Sequence, residues 1–337
     1  MRDIFSRLYK ILSDRKRAVV VTATGSSGAE HALYEGDEAD KYINAPRGEE
    51  SLIVSEDGSR VVIAERFLPR PRMIIFGGGH IAVPLAHVAA MLDFSVTVFD
   101  DRPSFANGAR FPDAKEVICD NFSSSVKLTG AGGGDYVVIV TRGHKHDYEV
   151  LRGVLESAAP RYVGMIGSRR RVAIVRKQLV DEGFSKELVD RVHSPIGLRI
   201  GAVTPEEIAI SILAEVIQKR RLSDDGTRTD TEDVYADMEL LAFLAEERDE
   251  PAAIVTVIET EGSTPRGAGA KMAVLPDGDT IGSIGGGCAE ADVKRDALDI
   301  MKTGTGGYAI KTVDMTDTAE EDGMVCGGTM KVLIEKI

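Results

Sequence analysis

The sequence predicts an α/β protein with a doubly wound parallel sheet in the middle of the chain and a smaller α+β module at both ends. Three observations lead to this prediction. Between residues 73 and 221, short apolar runs alternate with segments of helical periodicity, which is typical of a parallel α/β sheet. A glycine-rich turn follows the first apolar run. The segments at either end of the chain share one order of helix and then strand.

Five strands are expected in the middle of the chain, at residues 73–76, 95–99, 116–119, 136–140 and 162–166. Apolar residues at helical spacing predict a helix over 81–92. Thr204 and Glu207 form a capping box with Pro205 at the first helical position, so a second helix is expected from there to about residue 221. Cys119, at the end of the third strand, is expected in the core.

The first strand leads into a G-x-G-x-x-A pattern that contains Gly77, Gly78, Gly79 and His80. Such a turn brings backbone N–H groups and a helix dipole against a diphosphate, and His80 would only line the site. Asp100 ends the second strand, where an acid hydrogen-bonds ribose hydroxyls and disfavours a 2′-phosphate. The pattern predicts a Rossmann-like domain that binds NAD or another nucleotide. The same fold can also hold a different phosphate ligand or an empty site.

Two further strand ends carry polar groups, and carboxyl ends of parallel strands open into one crevice. Arg142 and His144 follow the fourth strand, and Ser168 and Arg169 follow the fifth. Hydrogen bonding to a ligand is favoured over a metal site on His144 and His146, because imidazoles two residues apart seldom converge. The serine and the arginines at 169–171 suit a phosphate or carboxylate clamp. An exposed basic first helical turn is the alternative.

The two ends of the chain have the pattern of two copies of one module. A helix and then a strand are predicted over residues 4–23 and again over 238–258, and the closing runs 62–67 and 332–337 match as well. Only the second copy carries glycine turns with cysteines, so we interpret the first copy as a structural remnant. A chance match of two helix–strand units is the alternative.

Two cysteines of the second copy lie in glycine-rich turns. Gly285, Gly286 and Gly287 precede Cys288, and a helix is expected to follow, so that helix dipole would favour the thiolate. Cys326 lies in a second glycine-flanked turn before the last strand. Two such thiols could bind a soft metal, accept sulfur or form a redox disulfide. Small residues that fill tight turns are the simpler alternative.

Two boundaries divide the chain. The polar run at 223–233 is typical of a linker, and prolines at 69 and 71 end a strand. The predicted order is therefore an N-terminal module, a Rossmann-like domain, an acidic linker and a C-terminal domain, over residues 1–70, 71–222, 223–233 and 234–337.

Composition excludes several classes of protein. Hydrophobic residues make up 43% and charged residues 28% of the 337 residues, as in globular proteins. No apolar run approaches the roughly 18 residues that a membrane span needs, and no secretory signal is recognisable at the start. Three cysteines are too few for a disulfide framework, so a cytoplasmic protein is expected.

Charge is distributed unevenly. Residues 223–337 contain 10 Lys and Arg against 25 Asp and Glu, whereas the rest of the chain is nearly neutral. Nucleic-acid binding needs clustered cations, so this class is excluded. The acidic surface either aids solubility or meets a protein partner.

These residues resemble the XdhC/CoxI family, accessory proteins of xanthine dehydrogenase and related molybdenum hydroxylases. FGGGHIA, VTRGHKHD and GMIGSRRR carry the resemblance in the middle of the chain, and EGSTPRGAGAKM and GGGC carry it near the end. The resemblance implies a Rossmann-like domain joined to a CoxI-type domain, with a degenerate copy of the latter at the N-terminus. The family usually places the CoxI-type domain first, whereas here the motif-bearing copy follows the Rossmann-like domain.

The resemblance implies an accessory protein rather than a catalyst. Such proteins bind molybdenum cofactor (molybdopterin), protect it while sulfur replaces an oxo ligand, and deliver it to an apo-xanthine dehydrogenase-type enzyme. Cys288 and Cys326 then become candidate metal ligands, and a cysteine desulfurase becomes an expected partner. A homodimer is expected from the duplicated module and the prevalence of two-fold assemblies. The alternatives are an NAD-dependent oxidoreductase, for which no proton-relay set is recognisable, and an adaptor that bridges two partners.

Overall fold

The first and last parts of the chain fold together, and the middle part forms a unit of its own. The computed structural model describes residues 2–25, 28–36, 38, 52–57, 60–157, 160–222, 236–247, 250–303, 307–315 and 328–337. Met1–Pro69 and Asp230–Ile337 make up what we call the terminal unit, and Arg70–Thr229 make up the central unit. The two ends were predicted as separate domains, whereas here they form one compact unit. The predicted linker at 223–233 lies outside the described residues.

The helices are α1 (Arg2–Ser13), α2 (Ala82–Met91), α3 (Phe122–Thr129), α4 (His144–Glu156), α5 (Arg169–Asp181), α6 (Lys186–Asp190), α7 (Pro205–Arg221), α8 (Met238–Ala245) and α9 (Gly287–Thr303). The strands are β1 (Ala18–Gly25), β2 (Gly28–Glu35), β3 (Leu52–Asp57), β4 (Arg60–Phe67), β5 (Arg72–Phe76), β6 (Ser95–Asp100), β7 (Glu116–Cys119), β8 (Tyr136–Ile139), β9 (Tyr162–Met165), β10 (Ala253–Glu261), β11 (Lys271–Val274), β12 (Thr280–Gly282), β13 (Tyr308–Asp314) and β14 (Thr329–Lys336).

The central unit contains a parallel sheet in the order β7-β6-β5-β8-β9. Alternate residues of β5 enter different cores. Ile75 packs with Leu85 and Ile212 on one face, and Ile74 packs with Leu151 on the other. The order of strand addition reverses between β5 and β8: the chain first adds β6 and β7 on one side of β5, and then β8 and β9 on the other. Ligands of doubly wound sheets bind at the carboxyl ends of the strands at this point. The predicted fold class is therefore confirmed.

Most predicted boundaries in the central unit agree with the structure to within one or two residues. The capping box at the start of α7 is present, because the Thr204 hydroxyl accepts from the Glu207 N–H and the Glu207 carboxylate accepts from the Thr204 N–H. The prediction for Cys119 was wrong. This cysteine ends β7, the edge strand of the sheet, and its side chain is exposed.

The two sheets of the terminal unit agree in strand order and in register. The sheet order β2-β1-β4-β3 of the first copy corresponds to β11-β10-β14-β13 of the second, to which β12 adds an edge. In the first copy Val20 lies opposite Glu65, and in the second Ile254 lies opposite Glu335, at the corresponding positions. Helices α1 and α8, which open the two copies, pack against each other. This agreement is what two copies of one module would produce, and the duplication stays a prediction.

The two copies exchange contacts between basic and acidic side chains through their shared core. Lys271 on β11 pairs with Glu65 on β4, and His31 on β2 lies 3.1 Å from Glu335 on β14, measured from Nε2 to Oε1. All four side chains are largely buried. The second strand of each copy therefore supplies a basic side chain to the last strand of the other copy. This reciprocal arrangement is typical of a two-fold interface, here within one chain. Among the helices of the described residues, none has the length and apolar character to cross a membrane.

Candidate functional site

The three glycines after β5 have different surroundings. Gly77 has a φ of +113° and its N–H donates to the Phe99 carbonyl. A Cβ would lie 2.4 Å from the Val140 carbonyl oxygen at Gly77, and 2.4 Å from the Phe105 carbonyl oxygen at Gly78. At Gly79 a Cβ would meet no atom within 4 Å. The first two glycines are therefore required for packing, and Gly79 is the one beside open space, as the motif predicts. His80 follows it and is exposed.

Asp100 is buried at the end of β6, and its carboxylate is occupied by donors of the protein itself. Oδ2 accepts from the Gly78 N–H at 2.8 Å and from Arg102 Nη2 at 3.0 Å. Oδ1 accepts from Arg102 Nε at 2.8 Å and from the Arg102 N–H at 3.1 Å. Burial raises the pKa of Asp100, but the hydrogen bonds from Arg102 and Gly78 outweigh it and hold the pKa below its ordinary value. In this arrangement Asp100 fixes the glycine turn, and no acceptor remains for the ribose expected from the sequence.

Two arginines that the sequence analysis did not single out cover this turn. The Arg102 guanidinium lies 3.6 Å from the centre of the Phe105 ring, and Arg110 lies 5.2 Å from the same ring while its Nε donates to the Gly78 carbonyl. The sequence did contain a signal for this contact, because Arg102 lies only two residues after Asp100. An arginine in this region accommodates a 2′-phosphate in NADP-binding relatives of the fold.

Arg142 joins the loops that follow β6 and β8. Its two terminal nitrogens donate to the two carboxylate oxygens of Asp101 at 2.7 and 2.8 Å. The predicted site residue therefore lies at the rim of the crevice, with its charge balanced by Asp101. This pair does not favour the oxidoreductase alternative, because it leaves neither side chain free for a substrate.

The residues around His146 form a structural cluster. Asp147 is buried and accepts from the Thr141 hydroxyl at 2.6 Å, and burial raises the pKa of its carboxyl. The His146 ring packs on Phe122 with 4.9 Å between ring centres. Within the described residues, no three His, Cys, Asp or Glu side chains are grouped as a metal site would require. A metal on His144 and His146 therefore receives no support from this geometry.

His144 and Ser168 line one cleft of about 680 Å³ between α4 and α5. Lys145, Arg170 and Arg171 contribute to the same walls, whereas Arg169 does not. The Ser168 hydroxyl also caps α5 by accepting from the Arg171 N–H. The structure thus brings His144 and Ser168 together, whereas Arg142 and Arg169, which were predicted with them, do not line this cleft. Of the three consecutive arginines at 169–171, Arg170 and Arg171 line the cleft.

In the terminal unit, the glycine-rich segments meet at the start of α9. Gly285, Gly286 and Gly287 all have positive φ, between +70° and +132°, a conformation that other residues seldom adopt. A Cβ at Gly285 would lie 2.6 Å from the Pro265 side chain, and one at Gly328 would lie 2.5 Å from a backbone oxygen of residue 261. The GGGC turn and Gly328 therefore both lie against the segment that contains the GSTPRG motif.

Glu290 organises the turn that leads into α9. Its Oε2 accepts from the Gly286 N–H at 2.9 Å, from the Ile284 N–H at 3.2 Å and from the Ser283 hydroxyl at 2.8 Å. The sequence analysis missed this residue, although an acid in the first turn of a helix was a usable signal. A cavity of about 190 Å³ lies beside the turn, and Ser283, Arg266 and Lys271 are among its lining residues.

The structure describes the backbone of only one of the two cysteines. Cys288 is the second residue of α9, as the sequence predicts, although its side chain is not described. Cys326 lies outside the described residues. Their role as metal ligands stays a prediction.

Two family models match the chain. The one described as the XdhC Rossmann domain covers residues 73–216, and the one described as the XdhC and CoxI family covers residues 245–314. The chain belongs to the XdhC/CoxI family. The matched segments agree with the central unit and with the second copy of the terminal unit.

Two relatives are similar to about half of the chain. A protein of Bacillus subtilis (strain 168), named as a probable subunit of xanthine dehydrogenase, is 36% identical over 165 residues, which are 49% of this chain and 48% of that protein. The molybdenum cofactor insertion chaperone PaoD of Escherichia coli (strain K12) is 42% identical over 154 residues, 46% of this chain and 42% of that protein. The chain thus spans about half or less of these relatives.

One solved structure is similar over a larger share of the chain. It is a crystal structure from Bacillus halodurans, described as a xanthine dehydrogenase, with a TM-score of 0.50 and 28% sequence identity. The similarity covers 69% of this chain and 66% of that chain.

Proposed function

We propose that this protein is a maturation factor for a molybdenum hydroxylase of the xanthine dehydrogenase type. It binds molybdenum cofactor as cargo, supports the sulfuration of the cofactor and inserts it into the apo-enzyme. Membership of the XdhC/CoxI family supports this proposal. A relative that is named as a molybdenum cofactor insertion chaperone supports it further.

The observation that carries the proposal is the close approach of the GGGC turn to the GSTPRG segment at the start of α9. Cys288 is the second residue of this helix, where the helix dipole favours the thiolate form of a cysteine. Thiolates are the ligands that soft metal centres prefer. Gly286 leaves the backbone accessible to a cargo, since a Cβ there would meet no atom within 4 Å. Cys288 and Cys326 are therefore the candidate ligands of the metal or of its incoming sulfur.

The expected partners follow from the two steps of the proposed function, which are sulfuration of the cofactor and its transfer to an apo-enzyme. An apo-enzyme of the xanthine dehydrogenase type receives the cofactor, and a cysteine desulfurase supplies the sulfur. We keep a cytoplasmic location and a homodimer as parts of the proposal, the latter to be checked by light scattering.

Transfer of cofactor to an apo-enzyme tests this function. Protein loaded with sulfurated molybdenum cofactor is incubated with cofactor-free xanthine dehydrogenase, and the recovered activity is measured. We expect recovery with the wild type and with Cys119→Ser, which removes an exposed thiol of the central unit. We expect little recovery with Cys288→Ser/Cys326→Ser. If the wild type transfers no better than free cofactor, the proposal is wrong. Full recovery with the double variant would instead indicate an adaptor.

A further inference from the structure

The cleft between α4 and α5 has one kind of charge on its walls. His144, Lys145 and Tyr148 of α4 line one side, and Ser168, Arg170, Arg171, Ile174, Val175 and Gln178 line the other. We call this site the basic cleft. Every charged side chain on its walls is basic, so it attracts an anion.

The cations of the basic cleft differ from others in the same unit. In the part of the central unit that the structure describes, the side chains of Lys145, Arg170 and Arg171 make no hydrogen bond or ion pair. Other arginines of the unit do have carboxylate partners, namely Arg72 with Asp135, Arg102 with Asp100, Arg142 with Asp101 and Arg152 with Glu156. Two neighbouring guanidiniums that remain free in a concave site are suited to phosphate oxygens.

The backbone adds to this positive potential. Helix α4 begins at His144, and its preceding residue Gly143 provides no side-chain cap. The first N–H groups of a helix have no partner within it, and the helix dipole adds positive charge there. Asp147 lies behind the wall near Arg171, but burial raises the pKa of its carboxyl and it accepts from Thr141. Asp147 and Arg171 attract each other electrostatically, but among the described contacts the Asp147 carboxylate accepts from Thr141 and receives no hydrogen bond from the guanidinium.

The cleft also has an apolar wall. Ile174 is 60% exposed, on a helix whose neighbouring exposed residues are mostly charged. It lies beside Val175 and Tyr148 in the lining. The volume of about 680 Å³ is in the range of sites for small organic ligands. An anion with an attached flat organic group would use both walls, whereas an inorganic anion would use only one.

We propose that the basic cleft binds a phosphate ester of a flat heterocycle. Arg170 and Arg171 pair with the phosphate, and the heterocycle lies against Ile174 and Tyr148. If the proposed function holds, this ligand is the phosphorylated pterin of the cargo. That identification rests on the proposed function, whereas the binding chemistry does not.

Flavin mononucleotide and riboflavin form a matched pair of probes, because they share a flat heterocycle and differ by the phosphate. Titration is followed by flavin fluorescence at fixed salt. We expect the wild type to bind flavin mononucleotide at least about tenfold more tightly than riboflavin, since charge-assisted phosphate contacts are strong. In Arg170→Gln/Arg171→Gln this preference should disappear. The control Arg169→Gln/Lys177→Gln removes the same charge from the same helix outside the cleft, and should keep the preference.

The apolar wall has its own variant. Ile174→Ser should weaken the binding of both flavins and leave their ratio unchanged. Equal binding of the two flavins by the wild type, or no binding, overturns the proposal. Equal losses in the two double variants overturn it as well. If the preference is present but the wild type does not transfer molybdenum cofactor, the cleft proposal stands and the proposed function fails.

Discussion

At the scale of single residues, Asp100 of the central unit uses its carboxylate to hold the glycine turn and not to bind a ligand. The position of Asp100 was predictable, because an acid at the end of the second strand is part of the nucleotide-binding pattern. The hydrogen-bond partners of its carboxylate were not predictable: all four donors come from Gly78 and Arg102. Which of two possible partners a carboxylate meets depends on a loop conformation that no local pattern specifies.

Replacing Asp100 by Asn tests the lowered pKa of this carboxyl. The folded-state pKa lies below the unfolded value, so ionised Asp100 stabilises the fold above the unfolded pKa, and this contribution is lost as the pH falls through the folded pKa. We expect Asp100→Asn to be less stable than the wild type at pH 7, with a gap that narrows below about pH 4. Denaturant unfolding of both proteins across this range measures the gap. A gap that is constant with pH would contradict the pairing.

The glycines of the turn provide a matched pair. Gly77→Ala places a methyl group 2.4 Å from a carbonyl oxygen at positive φ, so we expect a loss of about 2 kcal/mol or more in the free energy of unfolding. Gly79→Ala meets no atom within 4 Å and should change it by less than about 1 kcal/mol. Thermal and denaturant unfolding compare the two. Similar losses in both variants would show that the surroundings of the turn are different from those described.

At the scale of elements, β5, β6, β8 and β9 of the parallel sheet were predictable because each is a buried apolar run between polar or glycine-rich segments. The start of α9 was predictable from its glycines. Its organisation was not, since Glu290 reaches back to N–H groups four and six residues earlier. Cys119 shows the corresponding error, because an apolar strand pattern does not reveal whether the strand lies at the edge of the sheet.

Replacing Glu290 by Ala tests the turn that carries Cys288. The variant leaves the N–H groups of Ile284 and Gly286 without their acceptor, so we expect a loss of about 1–2 kcal/mol in the free energy of unfolding. Asp292→Ala, on an exposed ion pair of the same helix, should cost less than about 1 kcal/mol. Thiol labelling of Cys288, in a background without the other cysteines, should be faster in Glu290→Ala. An unchanged labelling rate would mean that Glu290 does not hold this turn.

At the scale of the whole molecule, the terminal unit contains two sheets with matching strand order and reciprocal contacts between basic and acidic side chains. The common order of helix and strand was visible in the sequence, and the two sheets share a register at Val20–Glu65 and Ile254–Glu335. The union of the two ends in one unit was not detectable, because contacts such as Lys271 with Glu65 join residues about two hundred positions apart. Local sequence patterns indicate the helices and strands of each segment, but they do not indicate which distant segment packs against them.

Replacing Lys271 by Met tests this interface. The variant leaves the buried Glu65 without its cation, so we expect a loss of about 3 kcal/mol in the free energy of unfolding. Burial already raises the pKa of Glu65, and without Lys271 the folded variant should hold its proton more strongly. Stability of the variant should therefore increase as the pH falls toward the raised pKa.

The double variant Glu65→Leu/Lys271→Met supplies the control. Since it removes both charges from the core, it should recover most of the loss. Denaturant unfolding of the single and double variants measures the coupling. Additive losses would contradict a direct pair between the two copies.

The central claim is that this protein holds molybdenum cofactor through the cysteines of its terminal unit. The most direct measurement mixes purified protein with anaerobically released cofactor, removes the free cofactor by desalting, and determines retained molybdenum and pterin. We expect stoichiometric retention by the wild type and by Cys119→Ser, and loss of retention in Cys288→Ser/Cys326→Ser. Retention by all three proteins would contradict the role of the two thiols, and retention by none would contradict the central claim.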